Sequence, residues 1–242
     1  MNYICLIGKY GCFITKRGQD FNSHLGIIKK DHLKIGKKVK THLGYEFFVT
    51  KPTLKDMMEK VLKRVPQTIS LKDLSLLLAL TSVKRNSRIV DAGTGSGFSS
   101  IFLAYFLKPC KIFTYEINKK YIKIAKENIK TCNLEKYIIV KNKDIIKGID
   151  ERNLDLVHLD MENSEKVIKH SYKSLKIGGY LCVFSPIIEQ VIKIRKEISK
   201  YNFSNVITVE NIVREWQYEK YLRPKTTGIM HTGFYTLAMK TC

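Results

Sequence analysis

Between residues 67 and 242 the apolar positions come as short runs, RIV, IFTY, YIIV, LVHL and YLCVF among them, set between longer stretches of mixed polarity. Such alternation predicts strands exchanging with helices, and therefore an α/β fold with a mostly parallel sheet covered on both faces. Strands are expected near 88–92, 111–116, 137–141, 154–159, 179–185, 205–210 and 232–239, and helices near 72–82, 97–107, 118–131, 164–175 and 187–200. Between the last two strands runs only an irregular stretch from Arg214 to Met230. Those strands are therefore expected to pair antiparallel at the sheet's edge.

The pattern before residue 67 is different. The β-type runs YICLI, CFIT and GYEFFVT are separated by Gly8, Gly11, Gly18, Gly26, Gly36 and Gly44 at turn-like intervals, which suits a small β-barrel or sandwich. Pro52 and Thr53 then open a helix, because Thr53 and Asp56 have capping-box spacing and Leu54, Met57, Met58, Val61 and Leu62 form an apolar stripe. Pro66 is expected to close it. This divides the chain into a β domain with a linker helix, residues 1–66, and an α/β domain, residues 67–242. No internal repeat or low-complexity tract interrupts either part.

Composition narrows the class. Apolar residues make up 44% of the 242, an ordinary globular share, with no run near the ~20 residues that span a bilayer. The first residues carry no small-residue cleavage site, so the expected compartment is the cytoplasm. Cys5, Cys12, Cys110, Cys132, Cys182 and Cys242 lie far apart, with neither a C-x-x-C pair nor a histidine at ligand spacing, which predicts plain thiols and no metal. The 43 Lys+Arg against 22 Asp+Glu give a net charge of +21, suited to a polyanion such as nucleic acid. A genome rich in A and T, favouring Lys, Asn and Ile, is the other source of such a balance.

Candidate chemistry gathers at strand ends. The strand RIV leads into Asp91-Ala92-Gly93-Thr94-Gly95-Ser96-Gly97 and then an apolar helix, so backbone N–H groups can approach a ligand where a Cβ would collide. By itself the loop fits a nucleoside cofactor, a dinucleotide or a plain tight turn. Glu116 ends the next strand, 19 positions after Gly97, where a carboxylate accepts from both hydroxyls of a ribose or caps a helix. Asp144 follows the third strand, where it can take the exocyclic amine of an adenine or sit in a surface turn. Asp160 ends the fourth strand, LVHLD, at the carboxyl end of the sheet. It is the catalytic candidate, with a helix N-cap as its other reading.

These residues resemble a known family, the tRNA adenine-N1 methyltransferases of the T-loop, homotetrameric in bacteria and archaea. The resemblance covers nearly the whole chain. Thr41-His42-Leu43-Gly44 and Lys51-Pro52-Thr53-Leu54, then Gln67 through Lys72-Asp73, are similar to the family's segment between its two domains. Asp91 to Gly97, Tyr115-Glu116 and Asp144 resemble its cofactor motifs. The most specific part is the tail, Arg214-Glu215-Trp216, Arg223-Pro224 and His231-Thr232-Gly233-Phe234. Two stretches depart: Met161-Glu162-Asn163-Ser164-Glu165 stands where prolines and a tryptophan commonly follow the aspartate, and Ser70-Leu71 where Tyr and Pro often precede Lys72-Asp73.

The resemblance implies a Rossmann-like class I methyltransferase with a seven-stranded sheet and a small N-terminal β domain. It implies S-adenosylmethionine as cofactor, held by Gln67, Asp91, Gly93, Thr94, Gly95, Ser96, Gly97, Glu116, Asp144 and Asp160. Asp160 would also be catalytic, accepting from the N6–H of the target adenine while N1 attacks the methyl group, with no metal required. Arg214, Trp216, His231 and Thr232 would shape the pocket for the base. The implied substrate is the adenine at tRNA position 58, with position 57 as a further candidate, and the implied assembly is a homotetramer. A non-catalytic tRNA-binding subunit of a heteromeric enzyme, and a methyltransferase with another RNA or a non-RNA acceptor, are the competing expectations.

Overall fold

A computed structural model describes residues 2–65, 67–81, 83–218, 220–226, 228 and 230–242. The chain divides into two compact units, Met1–Lys63 with Thr131–Asn133, and Arg64–Lys130 with Leu134–Cys242.

In the first unit β1 (Tyr3–Gly8) and β2 (Gly11–Lys16) form a hairpin, and β3 (Phe21–Ser23) and β4 (Gly26–Ile28) a second, separate one. With β5 (Lys38–Lys40) and β6 (Glu46–Thr50) the first hairpin makes an antiparallel sheet in the order β2-β1-β6-β5. Strand β6 shows why one face is covered: Phe47 and Val49 are buried while Glu46 and Phe48 point to solvent, the alternation a one-sided sheet requires. Ile4, Leu6, Phe21, Ile28, Phe47 and Val49 form that core. The expected barrel or sandwich is thus an open sheet beside a small hairpin. Strands β3, β4 and β5 have three residues each, too few to carry a readable period.

Helix α1 (Leu54–Lys60) starts as expected, with the side chain of Thr53 accepting from the Asp56 amide and Asp56 accepting from Thr53. It is shorter than expected. The amides of Val61 and Leu62 both turn to the Met57 carbonyl, at 3.0 and 2.9 Å, and the shared acceptor ends the helix. Pro66, the expected stop, lies outside the described residues.

The second unit runs α2 (Leu71–Thr81), β7 (Arg88–Ala92), α3 (Phe98–Leu107), β8 (Lys111–Glu116), α4 (Lys119–Thr131), β9 (Ile138–Asn142), β10 (Leu154–Leu159), α5 (Ile168–Ser174), β11 (Leu175–Ser185), α6 (Ile188–Ile198), β12 (Phe203–Glu210), β13 (Trp216–Tyr218), β14 (Leu222–Pro224) and β15 (Phe234–Lys240). Its seven-stranded sheet has the order β12-β15-β11-β10-β7-β8-β9. The strands from β7 to β11 pair in parallel, whereas β15 pairs antiparallel with both β11 and β12. Central strands are buried on both faces because helices cover both: Val90, Ala92, Val157, Leu159 and Val183 lie in the core on one face, and Ile89, Leu156 and Cys182 are buried on the other.

One expectation holds and another changes. The last two strands of the sheet pair antiparallel at its edge, with β12 outermost and β15 between it and β11, where the buried run YTLA has neighbours on both sides. The stretch after Arg214, expected to be irregular, holds the β13–β14 hairpin, whose three-residue strands again fall below the length at which periodicity is legible.

Candidate active site

From β7 the chain proceeds outward to β8 and β9, then returns to place β10 on β7's other flank. Such a reversal leaves a crevice beyond the carboxyl ends of the two adjacent strands. Here those ends are stitched together: the Asp160 amide donates to the Ala92 carbonyl, and the Gly93 amide donates to the Asp160 carbonyl at 3.1 Å. The loop after β7 is fixed on its other side by the Thr94 amide, which donates to the Tyr115 carbonyl at 3.1 Å. Gly95 and Gly97 hold φ of +53° and +81°, a region that penalises any Cβ. A Cβ at Gly97 would also stand 3.3 Å from that of Ala125 in α4. That glycine serves helix packing rather than the crevice.

The crevice is a cleft of about 570 Å³, walled by Gly93 to Ser96, Glu116, Asp144 and Asp160 among others, with Gln67 on its rim. Glu116 is held by three backbone amides: Oε1 accepts from Ile117 at 3.0 Å and Asn118 at 2.9 Å, and Oε2 from Gly95 at 2.9 Å. Oε2 keeps one lone pair for a ligand hydroxyl. Asp144 accepts from the Ile146 amide through Oδ1 at 3.0 Å, capping a short 3-10 turn, and so leaves Oδ2 free of that bond. Ser96 has a buried hydroxyl that meets no hydrogen-bond partner among the described residues. A buried hydroxyl without a partner costs about 1–3 kcal/mol, which a ligand atom would recover.

Asp160 is half-buried on the cleft, and among the described residues its carboxylate makes no hydrogen bond. Burial pushes its carboxyl up to about 6; nearby His158 works the other way, and Asp91 adds to the rise. Beneath it runs a wholly buried chain that the sequence did not announce. Tyr235 meets His158 Nε2 at 3.1 Å, and His158 Nδ1 meets Asp91 Oδ1 at 2.8 Å. The other oxygen of Asp91 accepts from Ser100 at 2.5 Å and Thr114 at 3.3 Å. Asp91 is thereby committed to supporting the loop from below and does not line the cleft. A histidine inside the apolar run LVHL was the one available signal of this chain.

The four tail residues are not brought to the cleft wall. Thr232 sits in a partly buried network, accepting from Lys72 Nζ at 2.6 Å and donating to Asp73 Oδ2 at 2.7 Å, and Lys72 also donates to the Asn211 carbonyl. His231 Nδ1 meets Glu210 at 2.5 Å and Nε2 meets the Pro186 carbonyl at 3.1 Å. With acceptors at both ring nitrogens, the imidazolium is favoured and its pKa rises, chiefly through Glu210. Since Pro186 lines the cleft, His231 reaches that wall only indirectly. Arg214 and Trp216 are exposed at the β13–β14 hairpin. Sequence reasoning passed over Phe184, Pro186 and Gln190 of the opposite wall, whose only signal was their place at the end of β11 and the start of α6.

This architecture recurs in known proteins. Residues 44–232 match the family described as tRNA methyltransferase complex GCD14 subunit. The tRNA (adenine(57)-N(1)/adenine(58)-N(1))-methyltransferase TrmI of Methanocaldococcus jannaschii is 29% identical over 93% of this chain and 89% of its own length. A solved structure of a SAM-dependent O-methyltransferase from Thermotoga maritima superposes with a TM-score of 0.91 at 27% identity, covering all of this chain and 93% of the other. The tRNA (m1A58) methyltransferase TrmI of Aquifex aeolicus superposes at 0.85 and 24% identity, covering 99% and 97%, a likeness of fold.

Proposed function

The chain belongs to the family of tRNA methyltransferase complex GCD14 subunits, and from that premise we propose that it transfers a methyl group from S-adenosylmethionine to N1 of a T-loop adenine in tRNA, at position 58 or at both 57 and 58. The observation that carries this reading is that Asp160, half-buried without a hydrogen-bond partner among the described residues, and Glu116, fixed by three amides, face one cleft with the Gly93–Ser96 loop.

When bound, S-adenosylmethionine supplies an electrophilic methyl group on a positively charged sulfur. Glu116 Oε2 accepts from a ribose hydroxyl, Ser96 gains the partner its hydroxyl lacks, and Gly93 and Gly95 leave the backbone open for close approach. Gln67 and Asp144, on the same cleft, bound the nucleoside end. Asp160 holds the reacting base. Its carboxylate accepts from the exocyclic N6–H of adenine, which moves electron density toward N1, and its pKa of about 6 keeps the ionised form dominant at pH 7. Alignment of the two reactants supplies a large part of the acceleration.

In folded tRNA this adenine must leave its stack, at a cost of a few kcal/mol that backbone contacts offset. A net charge of +21 favours such contacts and makes binding fall with added salt. Self-association as a homotetramer and action in the cytoplasm complete the reading; among the described residues no helix is long and apolar enough to cross a membrane.

The test is mass-spectrometric mapping of methylated nucleosides after the purified chain meets unmodified tRNA and labelled S-adenosylmethionine. N1-methyladenosine in the T-loop is expected. Methylation elsewhere, or on an oxygen, overturns the assigned acceptor, and absence of transfer despite measured cofactor binding favours a non-catalytic subunit.

A further inference from the structure

The first unit contains a side-chain cluster independent of the cofactor cleft. Cys5 of β1, Cys12 of β2 and Asp56 of α1 present two sulfurs and a carboxylate oxygen that all lie within 4.8 Å of one another. Hairpin register explains the meeting of the sulfurs: Cys12 lies opposite Ile7 and Cys5 opposite Ile14, so both point to one face on a diagonal, in contact at 2.6 Å. Asp56 is already oriented. Its Oδ2 accepts from the Thr53 amide at 2.9 Å and hydroxyl at 2.6 Å, which turns Oδ1 toward Cys12 Sγ, 3.5 Å away. One turn on, Lys60 donates to the Cys12 carbonyl at 2.5 Å.

We propose that Cys5, Cys12 and Asp56 form a site for one thiophilic divalent cation, of which Zn²⁺ is the representative. Two thiolates and one carboxylate oxygen are three of the four ligands of a tetrahedral zinc centre, and water is the fourth, because Cys12 and Asp56 are only half-buried. Harder cations such as Mg²⁺ and Ca²⁺ ask for six or more oxygens. The charge closes: three negative ligands around a dication leave one negative charge, beside which Lys60 stands. The capping box supplies the outer hydrogen bonds that hold a metal-binding carboxylate in place.

Seating the ion draws the sulfurs from 2.6 Å to about 3.7 Å, the separation set by two Zn–S bonds of ~2.3 Å at a tetrahedral angle. Cys12 can give this movement, since β2 is an edge strand of its sheet. On binding, each thiol proton passes to solvent and no redox change occurs. A disulfide between the same cysteines would leave the Asp56 oxygen without a role, which is why a metal is favoured over oxidation.

The experiment measures zinc by mass spectrometry in the full chain, purified in reductant without chelator and passed through gel filtration after one equivalent of Zn²⁺ is added. About one zinc per chain is expected in the wild type and in Cys242→Ser, falling below about a tenth in Cys12→Ser. Serine at buried Cys5 endangers the fold, so Asp56→Asn, which preserves the cap, provides the second test, and melting curves establish that both variants fold. Co²⁺ in place of Zn²⁺ is expected to give thiolate-to-metal charge-transfer absorption that Cys12→Ser abolishes. No retained zinc, equal zinc in Cys12→Ser and wild type, or a Cys5–Cys12 cross-link in the non-reduced chain with no zinc bound after reduction would each overturn the proposal.

Discussion

Replacing Asp160 by Asn should make the protein more stable and nearly inactive, and the two effects should share one pH dependence. Burial raises the carboxyl from 3.8 to about 6, and at ~1.36 kcal/mol per pH unit this amounts to about 3 kcal/mol of penalty on the ionised form. The sign follows from linkage. A folded-state value above the unfolded one means the native protein holds the proton more tightly, so it is most stable below 3.8 and loses about 3 kcal/mol as the pH rises through about 6. Asn carries no charge, so the variant should exceed the wild type by little at pH 4 and by about 3 kcal/mol at pH 8. Urea titrations of both proteins at unit pH steps measure this difference directly. Methyl transfer should rise with pH through about 6 in the wild type and fall by about 100-fold or more in the variant. A stability difference that stays flat from pH 4 to pH 8 would refute the argument, because it would mean that Asp160 ionises as freely in the folded protein as in the unfolded one.

Three further outcomes test the rest of the site. Glu116→Gln should weaken cofactor binding by about 10- to 100-fold, the worth of a charge-assisted hydrogen bond, and calorimetry giving an unchanged Kd would remove Glu116 from the ribose. Ser96→Ala deletes a buried hydroxyl without a partner, so the cofactor-free protein should gain about 1 kcal/mol while the cofactor's Kd rises; a loss of stability without cofactor would show that Ser96 is satisfied. Thr232→Val strips a partner from both Lys72 and Asp73, and should cost about 1–3 kcal/mol in urea titrations with little change in cofactor Kd. An unaltered midpoint would deny the network its structural role.

Local rules made much of this molecule readable. The alternation of buried runs with helical stretches predicted all seven strands of the larger sheet to within a few residues, because such patterns are local: each buried strand must be apolar and each helix packed on the sheet must bury one face. The helix at Thr53 was legible for the same reason, since its capping box lies within four consecutive residues. What was missed was short: β3, β4, β5, β13 and β14 have three residues each and bury too little to leave a period. The premature end of α1 was missed too, because it depends on two amides competing for one carbonyl.

The site divides along the same line. A glycine loop, Glu116, Asp144 and Asp160 can be named from sequence because each stands at a strand's carboxyl end, and strand ends follow from the hydrophobic pattern. Which of them face a common space was decided by strand order, and strand order depends on pairings between residues far apart in the chain. Only the return of β10 to the flank of β7 sets Asp160 beside Gly93, and it commits Asp91, equally acidic and at the end of its own strand, to His158 below the loop. Thr232 was recognisable as part of a tail motif, yet it meets Lys72 and Asp73 across about 160 positions, contacts that no local pattern encodes. Composition and periodicity fixed the elements, because those depend on each residue's own neighbours and on burial. Tertiary structure alone chose among the acidic residues, because desolvation and hydrogen-bond partners come from what the fold packs around them.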